Sequence, residues 1–220
     1  MAVLYNFPEK AAFGRALPKE KIYTYANPSR AVRNKFVSQV HKIIWQYKLA
    51  PETINLPARS KVPEIQIFDI HLKEGELDDA VLRSIDKAIP FPIFYRLIFQ
   101  ERIKVTAAYK RPSEADAAKW VVDGYYATDW LSSHQELSVL PVVLDLAALY
   151  EQMLRQLMPL PARGAEPLKT QVERIDAVIQ KQKECQKLEA RIQKEKQFNR
   201  KVELNAQLRS MKNEIESLST

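Results

Sequence analysis

Glycine is scarce, with four in 220 residues. There is no G-x-G-x-x-G, and Lys follows none of Gly14, Gly75, Gly124 or Gly164. A dinucleotide-binding fingerprint and a P-loop are therefore both absent. Cysteine is rarer still. Cys185 stands alone, with His41, His71 and His134 as the histidines, so a usual Cys/His zinc site cannot be assembled from one chain. A single cysteine makes no intrachain disulfide, which fits a reducing compartment. Residues 1–10 lack a basic run leading into an apolar one, so no signal peptide is expected. Long apolar runs are also missing. Arg96 interrupts 89–99, and Pro141 and Asp145 interrupt 137–150, leaving neither suited to a bilayer. The expectation is a cytoplasmic protein with no metal and no cofactor.

What is present is an ordinary soluble composition, 46% hydrophobic and 28% charged, in a chain long enough for one domain with an appendage. The net charge of +7 is unevenly spread. Residues 1–60 carry 10 Lys/Arg against 3 Asp/Glu, residues 61–165 carry 12 against 15, and residues 166–220 carry 12 against 9. Basic ends flank a mildly acidic centre, which suggests a nucleic acid or an acidic protein as partner. A solvated surface without a partner is the plainer reading of the same charges.

Along the chain, Phe7-Pro8-Glu9-Lys10 reads as a helix start closed by Pro18. Lys19–Tyr25 alternates charged with apolar or aromatic residues and predicts an extended segment. Ser29–Tyr47 predicts an amphipathic helix, with Val32, Phe36, Val40, Ile43, Ile44 and Tyr47 at three- and four-residue spacing. Trp45 falls within it, as a core residue rather than an interface anchor. Val62–Leu72 reads as a strand with a bulge or burial on both faces. Leu77–Ala88 reads as a helix that starts after Gly75 and stops before Pro90. Pro92–Phe99 and Arg102–Tyr109 predict a hairpin whose turn lacks glycine. Ser113-Glu114-Ala115-Asp116 resembles a capping box for a short helix to Trp120. Val121–Trp130 predicts a strand kinked at Gly124, and Val142–Leu157 a helix.

Pro159–Pro167 holds three prolines and a glycine in nine residues and reads as a linker. No Pro or Gly follows it. Heptad fragments do: Leu168, Val172, Ile175 and Ile179, then Cys185, Leu188 and Ile192, then Leu204, Leu208, Met211, Ile215 and Leu218. Their phase slips at Gln182 and around Glu195–Lys201, which leaves open a straight helix or a bend into a hairpin. A narrow apolar seam on a lone helix needs a partner; self-association is the simplest one, and packing back on the chain's own domain is the alternative.

No nucleophilic triad is visible, and no histidine sits in a motif of general-base type. A metal-dependent nuclease of the restriction-enzyme kind would need hard oxygen ligands converging on Mg²⁺. Glu64-Ile65-Gln66, with Asp69 and Lys73 following, is the nearest pattern. Five residues separate Glu64 from Asp69, which sends their side chains to opposite faces of a regular strand. Nucleic-acid contact draws on other residues. Lys19, Lys21, Arg30, Arg33, Lys42 and Lys48 lie in the first 48 positions, with Tyr23 and Tyr25 among them. In the tail, Lys194-Glu195-Lys196-Gln197-Phe198-Asn199-Arg200-Lys201 sets an aromatic among four cations. The plain alternative there is a solvated helix face with Glu/Lys pairs.

Several phrases together resemble one family. They are Leu17-Pro18-Lys19 with Ile22-Tyr23, Ile43–Leu49 with Thr53–Leu56, Glu64–Phe68, Ile85–Pro90, Tyr109-Lys110 and Lys194–Asn205. With these the chain is similar, over its whole length, to the domain-of-unknown-function family DUF4391 of bacteria and archaea. The resemblance implies an accessory role beside helicase and DNA-methyltransferase genes in restriction- or defence-like clusters. It transfers no catalytic residue.

The expected fold is α+β: a mostly antiparallel sheet packed with helices over 1–158, a Pro-rich linker at 159–167, and a long helical, coiled-coil-like extension at 168–220. The expected function is that of a non-catalytic adaptor, a homodimer through its tail, contacting DNA, RNA or a helicase partner through its basic N-terminal residues, with a methyltransferase as the alternative partner. The nucleic-acid-binding candidates are Lys19, Lys21, Arg30, Arg33, Lys42, Lys48, Lys194, Lys196, Arg200 and Lys201. No membrane partner is expected. A divergent nuclease using Glu64, Gln66, Asp69 and Lys73, and an assembly factor without nucleic-acid affinity, are the alternatives.

Overall fold

The computed structural model describes residues 3–59, 62–113 and 120–220. The fold is α+β. Its chain parts into two compact units, 1–158 and 159–220.

The first unit is built on a seven-stranded mixed sheet. Its main path runs β1 (Ala12–Ala16), β2 (Val40–Leu49), β3 (Ile65–Leu72), β4 (Ile93–Phe99), β5 (Arg102–Pro112) and β6 (Trp120–Ala127) in sequence order. A short β7 (Leu131–Ser132) also pairs with β5. All pairings are antiparallel except β3 with β4. A parallel pair needs a crossover, and α4 (Asp79–Ala88) supplies it. Asp78 caps α4, its carboxylate accepting the Ala80 N–H at 2.9 Å. The β4–β5 turn works without glycine because Gln100 adopts φ 55.

The sheet is covered on both sides. On one face, Ile43, Phe68, Ile70, Ile93, Tyr95 and Leu97 pack with Ile22, Phe36, Val81, Leu82 and Ile85 from the helices. On the other, Tyr150 of α5 (Leu146–Arg155) meets Phe94 edge-on and donates its hydroxyl to the Ala108 carbonyl at 2.9 Å. This explains β3, buried almost throughout without a bulge of its own. Of the two sequence readings for it, burial on both faces is the one found.

Two readings of the N-terminal third are corrected. The helix expected over Ser29–Tyr47 is α2 (Arg30–Gln39) followed directly by β2. The register of β2 against β3 slips between Val40 and Lys42 and again between Trp45 and Tyr47, each time with the extra residue on β2. A bulge adds one residue to the period of two. Val40 and Ile43 therefore reach the same core three positions apart, and a bulged strand mimics helical spacing. Trp45 is half-buried between Phe13 and Phe68. The extended segment expected over Lys19–Tyr25 is instead α1 (Lys19–Ala26), which buries Ile22 and Ala26 one turn apart and ends at Asn27 in the left-handed region. The start at Phe7–Lys10 is one 3-10 turn, Glu9–Ala11, leading into β1. The capping box at 113–116 falls mostly on 114–119, outside the described residues, and Trp120 already belongs to β6. The irregularity expected at Gly124 matches a register slip of β6 against Ala108–Lys110.

The second unit is a helical hairpin. α6 (Leu168–Lys194) and α7 (Phe198–Ser219) fold back on each other, with the bend at residues 195–197. The Glu195 carboxylate accepts the N–H groups of Lys196 and Gln197 at 2.8 and 3.0 Å, which holds the bend and keeps its pKa low. At the other end the Arg174 guanidinium pairs with Glu166 and donates to the carbonyls of Pro161 and Leu218. Lys181–Glu214 and Lys212–Glu189 bridge the two helices. Cys185 and Leu204 are buried in the seam. The partner that the apolar seam requires is thus the chain's own α7.

Candidate nucleic-acid interface

The basic residues of the first unit sort by what holds them. Lys19 has a structural use: its ammonium donates to the carbonyls of Phe36 and Val40 at 2.9 and 2.6 Å, closing the end of α2. Desolvation, then the nearby Lys73 charge, lowers its pKa. Lys48 is bound to Glu52 at 2.9 Å and Glu64 at 3.3 Å, and the Glu52 hydrogen bond raises its pKa. Arg33 donates to Pro28 O at 3.1 Å and lies over the Tyr23 ring. Lys21, Arg30 and Lys42 are exposed and have no carboxylate partner among the described residues. Arg15, which the sequence reading passed over, is exposed on β1 and stacks on Phe13.

The nuclease quartet does not form an open metal site. Asp69 is gripped by Arg96 through two hydrogen bonds of 2.6 and 2.7 Å. The Arg96 guanidinium in turn lies over Tyr47. Glu64 accepts from Gln66 at 2.6 Å and pairs with Lys48. Lys73 donates to Val37 O at 2.7 Å. Among the described residues no group of three His, Cys, Asp or Glu could hold a metal ion.

The hairpin tip is different. Lys194 ends α6, Lys196 sits in the bend, and Arg200 and Lys201 occupy the first turn of α7. Over 191–201 there are five Lys/Arg and one Glu. Arg200 approaches Glu195 at 3.6 Å, while Lys194, Lys196 and Lys201 have no ion pair among the described residues. Phe198 opens α7 and is 79% exposed, and Val202, one turn on, is 53% exposed. The N-terminal end of α7 adds its own partial positive charge.

Sequence reasoning missed one polar cluster in the core. Lys110 of β5 is 1% exposed and Asp86 of α4 is 2% exposed. The Lys110 ammonium donates to the Asp86 carbonyl at 2.8 Å, to the Ile89 carbonyl, and to Asp86 Oδ1 at 3.3 Å. The Tyr125 hydroxyl donates to Asp86 Oδ2. The Tyr95 hydroxyl lies against the same carboxyl, without the geometry of a good hydrogen bond. Burial raises the Asp86 pKa, and the Lys110 charge opposes it. Burial lowers the Lys110 pKa, and Asp86 opposes that. Fixed in this way, the cluster ties the end of α4 to β5 and β6. A lysine following the β-rich run Val105–Tyr109 was the sequence signal available. The phrases Ile85–Pro90 and Tyr109-Lys110 meet at this cluster.

The model of the family described as domain of unknown function (DUF4391) matches residues 5–215 of the 220-residue chain. The chain belongs to DUF4391. No curated protein and no solved structure matches it. In this DUF4391 protein no helix among the described residues is long and apolar enough to cross a membrane.

Proposed function

We propose that this DUF4391 protein is a non-catalytic adaptor that contacts single-stranded nucleic acid through the tip of its helical hairpin, within a prokaryotic DNA-related system of restriction or defence type. The observation that carries this reading is the exposed Phe198 ring among Lys194, Lys196, Arg200 and Lys201. An exposed aromatic offers a stacking platform to an unpaired base, and flanking cations take the phosphates. Lys21, Arg30, Arg33 and Lys42, exposed in the first unit, are further cations for phosphate contact. A helicase or methyltransferase partner, and self-association through the hairpin, complete this reading.

The test is anisotropy of labelled single-stranded DNA, RNA and duplex DNA at two salt concentrations, with and without Mg²⁺. Salt-sensitive binding with intact substrate supports the reading. Each phosphate neutralised on a single strand contributes about −0.7 to the log–log salt slope. A Lys194→Ala/Lys196→Ala/Lys201→Ala variant should therefore flatten the slope by about 2. Phe198→Ala should weaken binding by about tenfold at constant slope, the loss of one stacked base. Unchanged binding in both variants overturns the assignment of the tip. No binding at low salt overturns nucleic-acid contact and leaves the assembly factor. Cleavage dependent on Mg²⁺ overturns the non-catalytic reading in favour of the nuclease.

A further inference from the structure

A polar cleft of about 420 Å³ opens in the first unit between α4 and the β5–β6 edge of the sheet. Its size lies within the roughly 300–1,000 Å³ of small-molecule sites. The two walls carry opposite charge. Along β5, Arg102, Lys104 and Thr106 occupy successive positions on one face, about 6.8 Å apart. Lys104 lines the cleft, and the Arg102 guanidinium lies over the ring of Trp130, which lines it too. Glu76, in the loop before α4, and Asp79, the first residue of α4, line its α4 side. Leu77, Leu82 and Leu97 supply an apolar surface.

The hydroxyls in this cleft are already committed. Thr106 donates to Tyr126 O at 3.1 Å, and Tyr125 donates to Asp86. The charges are not. The side chains of Lys104, Glu76 and Asp79 make no ion pair or hydrogen bond with any described residue, although they line one cavity; the Asp79 charge only helps to raise the pKa of the neighbouring Tyr125. The site therefore offers a cation on one wall, two carboxylate acceptors on the other, and an indole with leucines between. A matching ligand needs an anionic end, hydrogen-bond donors, and a flat apolar body.

We propose that this cleft binds a nucleoside monophosphate or diphosphate. The phosphate meets Lys104, with Arg102 beside it, as a charge-assisted contact. The ribose hydroxyls donate to Glu76 and Asp79. The base lies against Trp130 and the leucine side chains. The site is separate from the hairpin tip and does not depend on nucleic-acid binding there.

The test is calorimetric titration of the full chain with AMP and ADP, with adenosine, inorganic phosphate and glutamate as separate arms. Saturable binding of AMP or ADP is expected, weakened about tenfold or more by Lys104→Ala and partly restored by Lys104→Arg. Asp79→Asn should weaken adenosine and AMP alike, while Lys104→Ala should leave adenosine unchanged. Circular dichroism of each variant checks that the fold is retained. Phe198→Ala should bind AMP normally, which separates failure here from failure at the tip. Absence of saturable binding to about 5 mM of either nucleotide overturns the proposal. So does binding that ignores Lys104, and preference for glutamate overturns the ligand class.

Discussion

Replacing Lys110 with methionine tests how the core of the first unit is held. The substitution keeps the length and apolar stem of the side chain but removes the ammonium. Two carbonyls at the end of α4, those of Asp86 and Ile89, then lose their donor. The Asp86 carboxylate, 2% exposed, loses its counter-charge. Breaking a buried pair by removing one partner costs about 3–5 kcal/mol, a large share of the roughly 5–15 kcal/mol that stabilises a typical domain. With a urea slope of about 2 kcal/mol/M, the midpoint should fall by roughly 1.5–2.5 M. Trp45, Trp120 and Trp130 all lie in residues 1–158, so tryptophan fluorescence follows this unit alone.

The deficit should also depend on pH. Asp86 already has a raised pKa from burial, and loss of the Lys110 charge raises it further. A raised acid contributes its stability below its unfolded value, about pH 3.9, and loses it as pH rises through the folded value. The deficit of Lys110→Met should therefore shrink towards pH 4.5 and grow towards pH 8. Adding Asp86→Asn removes the uncompensated charge, so the double variant should be more stable at pH 8 than Lys110→Met alone. A loss below about 1 kcal/mol, within the range of one ordinary hydrogen bond, would refute the reasoning. A pH-independent deficit would do the same. If the single variant is unfolded at pH 8, the comparison at pH 4.5 still reads the effect.

Asp78→Ala removes the α4 cap and the pair with Lys35, and should cost about 1 kcal/mol by urea denaturation at pH 7. The Lys35 hydrogen bond holds the Asp78 pKa low. Its contribution is therefore present above about pH 4 and disappears as pH falls through the depressed folded value, so wild type and variant should converge in acid. In the hairpin, the Arg174 hydrogen bonds hold Glu166 down to about 2. Glu166→Gln should move the onset of acid loss of hairpin helicity to higher pH, read by circular dichroism, and an unchanged onset would count against the pair. Cys185 is buried in the seam, so a thiol reagent should modify it at the rate of hairpin opening, and labelling at the rate of a free thiol would contradict that packing.

Much of the architecture was legible because its signals are local. Gln100–Glu101 between two β-branched, aromatic runs marked the β4–β5 hairpin. Gly75 and Pro90 bracketed α4. The absence of Pro and Gly after Pro167 marked the helical tail. Each misreading has its own physical cause. The bulge of β2 between Val40 and Lys42 places Val40 and Ile43 on one face at a spacing of three, which periodicity alone reads as a helix. In α1, the alternation of charge over seven residues was weaker than the burial of Ile22 and Ala26 against the core.

The candidate sites divide along the same line. Residue type and position were enough to mark Lys194–Lys201 as an aromatic among cations, because exposure on a polar helix needs no distant partner. Which charged groups stay available depends on neighbours far along the chain. Lys19 is taken by carbonyls 17 and 21 residues away, Lys48 by Glu64, and Asp69 by Arg96 across the parallel β3–β4 pair. The sequence by itself determined the α+β class, the helical tail and the excess of positive charge at both ends, all set by composition and short-range pattern. Only the tertiary structure decided that the tail bends onto itself, that Lys110 and Asp86 meet in the core, and that Lys104 faces Glu76 and Asp79 across one cleft. Those outcomes depend on which side chains distant in sequence are brought together, and long-range packing decides that.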